Sequence, residues 1–320
     1  MTRFGYFLSC EEHGPRELVR QARLAEQAGF EALWISDHYH PWLEEQGQAS
    51  FVWTVIGALA EATSLPIGTA VTCPLVRTHP AVIAQAAATT AALTGGRFFL
   101  GVGTGELLNE HIVDSRWPPA ATRRAMLEEA IGLMRRLFTG RLVTHRGEHY
   151  TVDTARLYTL PDEPPPIYVS GFGNKAATLA GRIGDGFICM MPDADLVSVF
   201  REAGGAGKPV QGGLKACWGA DEAAALRTAH RLWASDYIPG EANQLLPLPR
   251  QFEQLKGLVT EEMVAERVPC GPDPQVHARA LREYVDAGYD DVFVQQIGPE
   301  QDGFFDFYAR EVLPLARGGA

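Results

Sequence analysis

The sequence lacks the features that would tie it to a membrane, a nucleic acid or an oxidising compartment. It has no run of 18 apolar residues, so no membrane-spanning helix is expected. It has no basic block: Lys and Arg number 28 against 39 Asp and Glu, for a net charge of −11. Binding a polyphosphate chain or an anionic membrane takes a positive field, which this balance excludes. The five cysteines (Cys10, Cys73, Cys189, Cys217, Cys270) are scattered and form no C-x-x-C pair. Reduced thiols in a cytoplasmic protein are therefore expected. The opening "MTRFGYFLSC" has too short an apolar run for a signal peptide and reads as a strand. Internal repeats, low-complexity tracts and linkers are absent too, which leaves one domain over 1–320.

What the sequence does have is a regular alternation. Short apolar runs at 3–9, 31–36, 67–73, 97–103, 166–171, 185–190, 210–218 and 291–298 read as strands. Amphipathic stretches at 15–30, 51–64, 80–95, 122–138, 174–183, 194–204, 221–235, 274–287 and 304–316 read as helices. Eight strands, each followed by helix, predict a (β/α)₈ TIM barrel. Two segments interrupt the pattern. Residues 142–158 alternate around Arg-Gly and read as a hairpin excursion. Residues 237–260 are Pro-rich and read as an insertion, or lid, over one barrel end.

Barrel active sites lie at the C-terminal strand ends. There the stretch "SDHYHPW" brings Asp37, His38 and Trp42, and "GVGTGELLNE" brings Glu106. His38-x-His40 has the form of a metal-ligand pair, but the other strand ends offer Cys10, Cys73, Thr104, Ser170 and Met190. No metal site is expected from that set. Acid–base chemistry fits better: a His at the mouth titrates near neutral pH, and Glu106 two strands away can share its cavity. Capping alone is the competing reading of each residue. "GVGTGE" has the wrong spacing for a dinucleotide fingerprint. "SGFGNKAATLAG" is a strand, a Gly-rich turn and a helix start, which suits a phosphate.

Together with "PAVIAQAAATTAALTGGRFFLGVGTGELLNE", "PIYVSGFGNKAATLAGRIGDGFI" and "DPQVHARALREYVDAGYDDVFV", these motifs resemble the luciferase-like barrel superfamily. "SDHYHPW" with "GVGTGELLNE" is similar to the branch of glucose-6-phosphate dehydrogenases that use the deazaflavin coenzyme F420. The resemblance implies an oxidoreductase acting on CH–OH groups, with coenzyme F420, a small-molecule substrate and a homodimer. It implies that His38 acts on the substrate hydroxyl proton, that Glu106 exchanges a proton with the deazaflavin, and that Trp42 stabilises the bound state. Asp37, Cys73, Thr104, Gly105 and Asn109 would contact the ring or its ribityl arm. Ser170, Gly171, Phe172 and Gly173 would take the phosphate, and a cis peptide between Ala70 and Val71 would bulge toward the ring.

The chain departs from that pattern on the substrate side. Cys73 stands where those enzymes have Thr, and Phe172 where they have Gly. Met190 and Asp193, and Gln254 in the insertion, stand where lysines bind the sugar phosphate, and only Arg267 remains of that set. Glucose 6-phosphate is thus not the expected substrate. The alternatives are a reductase of C=C or C=N bonds using reduced F420, and an FMN-dependent monooxygenase.

Overall fold

The computed structural model describes residues 2–114 and 116–318. Its ten strands are β1 (Arg3–Leu8), β2 (Leu33–Ile35), β3 (Ile67–Thr69), β4 (Phe98–Val102), β5 (Val143–Arg146), β6 (Thr151–Ala155), β7 (Ile167–Ser170), β8 (Gly186–Cys189), β9 (Val210–Ala216) and β10 (Asp291–Gln296). Eight of them form a closed parallel barrel in the order β1-β10-β9-β8-β7-β4-β3-β2. Helices such as Pro15–Gln27, Pro80–Leu93 and Ala120–Phe138 cover its outside. This is the (β/α)₈ barrel that the alternation predicts.

The barrel interior is filled, as inward-facing positions on parallel strands require. Trp34 and Phe293 stack at 4.1 Å, and Phe99 lies against Tyr168 at 5.4 Å. Phe7 and Ile188 complete this layer. Gly68 and Gly5 make room for it: a Cβ on Gly68 would stand 1.8 Å from Phe99, and one on Gly5 2.3 Å from Phe293. Gln211 takes the Trp34 indole N–H and donates to Asp291, so the floor's polar atoms pair among themselves. The mouth above this layer is left for chemistry.

Several strands are shorter than the sequence suggests. β3 stops at Thr69, where a cis peptide joins Ala70 to Val71, and the chain returns to the sheet only at Thr72 opposite Val102. β5 and β6 pair antiparallel outside the barrel. Glu129 pins this hairpin by accepting from His145 Nε2 and from the amides of His149 and Tyr150. The Tyr150 hydroxyl then reaches the carbonyls of Pro74 and Leu75, bracing the loop after β3. Residues 237–260 carry short helices at Ala242–Leu245 and Pro249–Leu255. Among the described residues, no helix is long and apolar enough to cross a membrane.

Candidate active site

His38 stands at the centre of the mouth, between two carboxylates. Its Nε2 lies 3.6 Å from Glu106 Oε1 and its Nδ1 3.6 Å from Glu11 Oε1. Nδ1 also faces the His40 carbonyl at 3.2 Å. A carbonyl only accepts, so Nδ1 is the donor here, and in the neutral tautomer that this geometry favours, the lone pair is on Nε2. Trp42 leans on the same imidazole, with ring centroids 5.3 Å apart.

Glu106 leaves β4 through Gly105, whose φ of 66° favours glycine. A Cβ there would also strike Cys73 Sγ at 2.6 Å, so Gly105 and Cys73 are packed as a pair. Burial, with Glu110 and Glu106 nearby, holds the Cys73 thiol well above its usual value, and it stays protonated. Thr104 is half-buried at the end of β4.

Asn109, an expected cofactor contact, also ties two loops together. It is buried, on the short helix Leu107–Glu110. Its Oδ1 accepts from the amides of Tyr39 and His40, and its Nδ2 donates to Glu106 Oε1 at 2.5 Å. One side chain thereby fixes the His38 loop against the Glu106 loop. Asp37 likewise turns inward: it accepts from Thr72 Oγ1 and Arg77 Nη2, each at 2.8 Å. Arg77 Nε faces Glu110 Oε1 at 3.6 Å, and Glu110 Oε2 takes the amides of Val76 and Arg77. Burial opposes the Arg77 charge, but Asp37 and Glu110 outweigh it and hold the guanidinium above its ordinary value. Burial pushes Glu110 up.

The turn after β7 has the form of an anion cradle. Ser170 ends the strand, and Gly173 precedes the helix Asn174–Ile183 with no side-chain cap. The first amides of a helix have no acceptor within it, so they are free for a phosphate. A Cβ on Gly171 would meet Ala176 at 2.6 Å, whereas Gly173 has nothing within 4 Å. Phe172 points outward and is 59 % exposed. The cradle and the cis Ala70–Val71 peptide fit the phosphate and ring of the expected cofactor.

The substrate side is less concentrated. Met190 enters the barrel interior: it packs with Ala70 and Val71 against the aromatic layer and lies beside Gly213. Asp193 was expected to face the pocket, but its carboxylate caps the helix Ala194–Phe200 by accepting from the Leu196 amide at 2.9 Å. Gln254 is exposed on Pro249–Leu255; the residue of that helix aimed at the site is Phe252, edge-on to Trp42 at 5.3 Å. Arg267 lines a pocket of about 250 Å³ with Asp236, Tyr237, Ile238, Pro239, Met263 and Glu266. Trp218, at the end of β9, packs against Phe307 instead of the mouth.

Sequence reasoning missed Glu11, Arg77 and Lys215. Glu11 is buried after β1, where it accepts from the hydroxyls of Ser9 and Ser36 at 2.8 Å. The signal was present in "SCEEHG", two acids directly beyond a strand end. Among the described residues, no group of three or more His, Cys, Asp or Glu is arranged to hold a metal.

Known proteins share this architecture and much of the sequence. The model of the luciferase-like monooxygenase family matches residues 2–291. An F420-dependent glucose-6-phosphate dehydrogenase of Intrasporangium calvum is 38 % identical over 99 % of this chain and 100 % of its own. One of Amycolatopsis mediterranei is 36 % identical over 99 % of each. The solved structure of an F420-dependent secondary alcohol dehydrogenase, in complex with an F420-acetone adduct, superposes with a TM-score of 0.92 at 30 % identity over 99 % of both chains. A barrel with this mouth, matched along nearly its whole length, belongs to the luciferase-like monooxygenase family.

Proposed function

We propose that the protein is a coenzyme F420-dependent dehydrogenase that oxidises a hydroxylated, sugar-like substrate other than glucose 6-phosphate. The observation that carries the reading is His38 Nε2 beside Glu106, with Glu11 at the other ring nitrogen. A bound deazaflavin would supply the acceptor for the hydride of the carbinol carbon. His38 Nε2 takes the hydroxyl proton, and the two carboxylates stabilise the imidazolium that forms. Glu106 is the second proton-handling group, and Trp42 supplies an apolar wall. Cys73, Thr104, Gly105, Ala70 and Val71 would line the ring; Ser170, Gly171, Phe172 and Gly173 would hold the phosphate. Asp37 and Asn109 act one step back, as supports of the His38 and Glu106 loops.

The segment 237–260 acts as the lid. Its Phe252 shares a buried cluster with Leu43 and Leu108, from the loops that follow β2 and β4, and Trp42 packs against it. Against glucose 6-phosphate stands the charge around Arg267: Asp236 and Glu266 line the same pocket. A phosphate dianion there would meet the Glu266 carboxylate and an Asp236 already paired with Lys215, beside the single lining cation Arg267.

The test is a spectral titration with F420 and FMN, followed by a screen for loss of deazaflavin absorbance. Tight F420 binding with turnover of secondary alcohols or sugars is expected. Preference for FMN, or absorbance changes only with unsaturated acceptors and reduced F420, would overturn the reading. Glucose 6-phosphate is expected to be a poor substrate in steady-state kinetics; a micromolar KM for it alone would remove the substrate half of the proposal.

A further inference from the structure

The wall of the mouth built by β9 and β10 carries polar groups that the proton chemistry does not use. On β9, Gln211 reaches Trp34, and a Cβ on Gly213 would meet Trp34 and Met190, so alternate residues face inward and Lys215 is the next. β10 pairs with it in register, Gln295 against Lys215, and Phe293, two residues before Gln295, lies in the interior layer. Both polar side chains therefore rise from the floor to the mouth. Lys215 Nζ meets Asp236 Oδ2 at 2.5 Å and lies 4.0 Å above the Trp233 ring. Its side chain is 12 % exposed and that of Asp236 28 %, so the pair stays reachable. Gln295 donates to Glu12 at 3.1 Å, but its Oε1 is buried with no hydrogen-bond partner among the described residues. Glu12 also takes the Trp233 indole N–H and the Gly298 amide, which fixes the orientation of the Gln295 amide. Glu12 follows Glu11, the acid at His38, so one loop after β1 serves both the wall and the reacting centre.

The chemistry of this wall selects a ligand. Lys215 donates, Asp236 accepts, and the acceptor of Gln295 lacks a donor. The ammonium is already neutralised by Asp236, so an anionic group gains little there and a second cation would be redundant. A hydroxyl both donates and accepts, and adjacent hydroxyls can satisfy two of these groups at once. The buried Trp233 ring lies under the Lys215 ammonium and holds it in place from below. We propose that Lys215, Asp236 and Gln295 form a hydroxyl-recognition wall that selects an uncharged polyhydroxylated substrate over a simple secondary alcohol. The inference rests on the dehydrogenase reading above and adds the substrate class.

The experiment compares kcat/KM for D-glucose and sorbitol with that for propan-2-ol, in the wild type, Lys215→Met and Gln295→Met. In the wild type the polyols are expected to be preferred. Loss of a charged hydrogen-bond donor is expected to lower the polyol-to-propan-2-ol ratio about 10- to 100-fold, through the polyol KM. Lys215→Arg should retain part of the preference. If Lys215→Met does not fold because Asp236 is left unpaired, Lys215→Met/Asp236→Leu removes both charges and takes its place. A wild type that prefers propan-2-ol, or a ratio unchanged in the variants, overturns the proposal, and so does glucose 6-phosphate outcompeting glucose. If neither class is oxidised, the dehydrogenase reading fails separately. Fluorescence titration of the F420 complex with glucose then decides the wall: a response in the wild type that weakens in Lys215→Met upholds it, and no response, or equal responses, overturns it.

Discussion

The two halves of the barrel mouth are built on different principles. The half formed by the loops after β1 to β4 is a closed ionic lattice. Glu11, His38, Glu106 and Asn109 form one linked set and Asp37, Arg77 and Glu110 a second beside it, joined through the chain at 37–38 and 109–110, and most are buried. The half formed by β8 to β10 and the segment over it is sparser. Met190 contributes packing, Lys215 and Asp236 form one pair, and Arg267 lines a pocket at the rim. A lattice in which each member fixes the next suits chemistry that stays the same. A set of separate groups can change one at a time, which suits a substrate that differs among relatives.

The largest effect expected from breaking the first half is on turnover. His38→Ala should lower kcat by about 10²–10⁴, the usual worth of a positioned acid or base, with F420 affinity nearly intact. Single-turnover absorbance kinetics beside a binding titration check both parts. A variant with normal turnover would show that the lattice serves structure alone.

Arg77→Met tests whether the lattice is a unit. It leaves Asp37 and Glu110 buried without their shared cation. Removing one partner of a buried ion pair costs about 3–5 kcal/mol, because the remaining charge is stranded. Denaturant unfolding should show a loss of that size, and F420 binding should weaken with it as the Asp37 loop is released. On the other side, Lys215→Met strands only Asp236, which is partly solvated, and should destabilise less.

A third comparison is in acid. His277 lies where the chain returns from the lid segment, between the Tyr308 hydroxyl and the Gly271 carbonyl. Burial lowers its value to about 4 from an ordinary 6.5. The unfolded chain therefore binds this proton first as pH falls. Stability should drop between pH 6.5 and 4 by about 3 kcal/mol and then level off, since a shift of one unit is worth about 1.4 kcal/mol. Glu110 works the other way: its raised value means that the folded state binds the proton first, which favours the folded state as pH falls. Unfolding followed against pH should lose the His277 slope in His277→Gln and keep it in Glu110→Gln.

The sequence showed the barrel and the cofactor half more clearly than the substrate half, for physical reasons. Apolar runs closed by Gly and Pro mark strands whatever their partners, so all eight barrel strands were legible. His38, Trp42 and Glu106 were legible because each follows a strand directly. Asn109 and Asp37 were legible as site residues, but their hydrogen-bond partners were not, since those residues are brought near only by folding. Lys215 gave no signal: "GGLKAC" reads as one polar residue in a strand, and only the closure of β9 on β10 turns it into the mouth. Asp193 looked like a pocket acid because it follows β8, although it also directly precedes the helix predicted over 194–204, which its carboxylate caps.

The smallest effect expected is at Gln254, and it bears on the sparser half. The family resemblance places Gln254 where sugar-phosphate enzymes would have a lysine, which makes it an expected substrate residue. In the fold it is exposed, while Phe252 two residues earlier is fully buried and edge-on to Trp42. A helix turns about 100° per residue, so positions two apart point nearly opposite ways. One of the two can face the mouth, and Phe252 does. Gln254→Ala should therefore change kcat/KM by no more than about twofold, the ordinary range for a surface substitution. Phe252→Ala should open a cavity beside Trp42, lose about 3–5 kcal/mol of stability and raise KM. If kinetics instead show Gln254→Ala raising KM tenfold with Phe252→Ala near wild type, the lid turns its other face to the substrate, and the sparser half has a recognition residue that its geometry conceals.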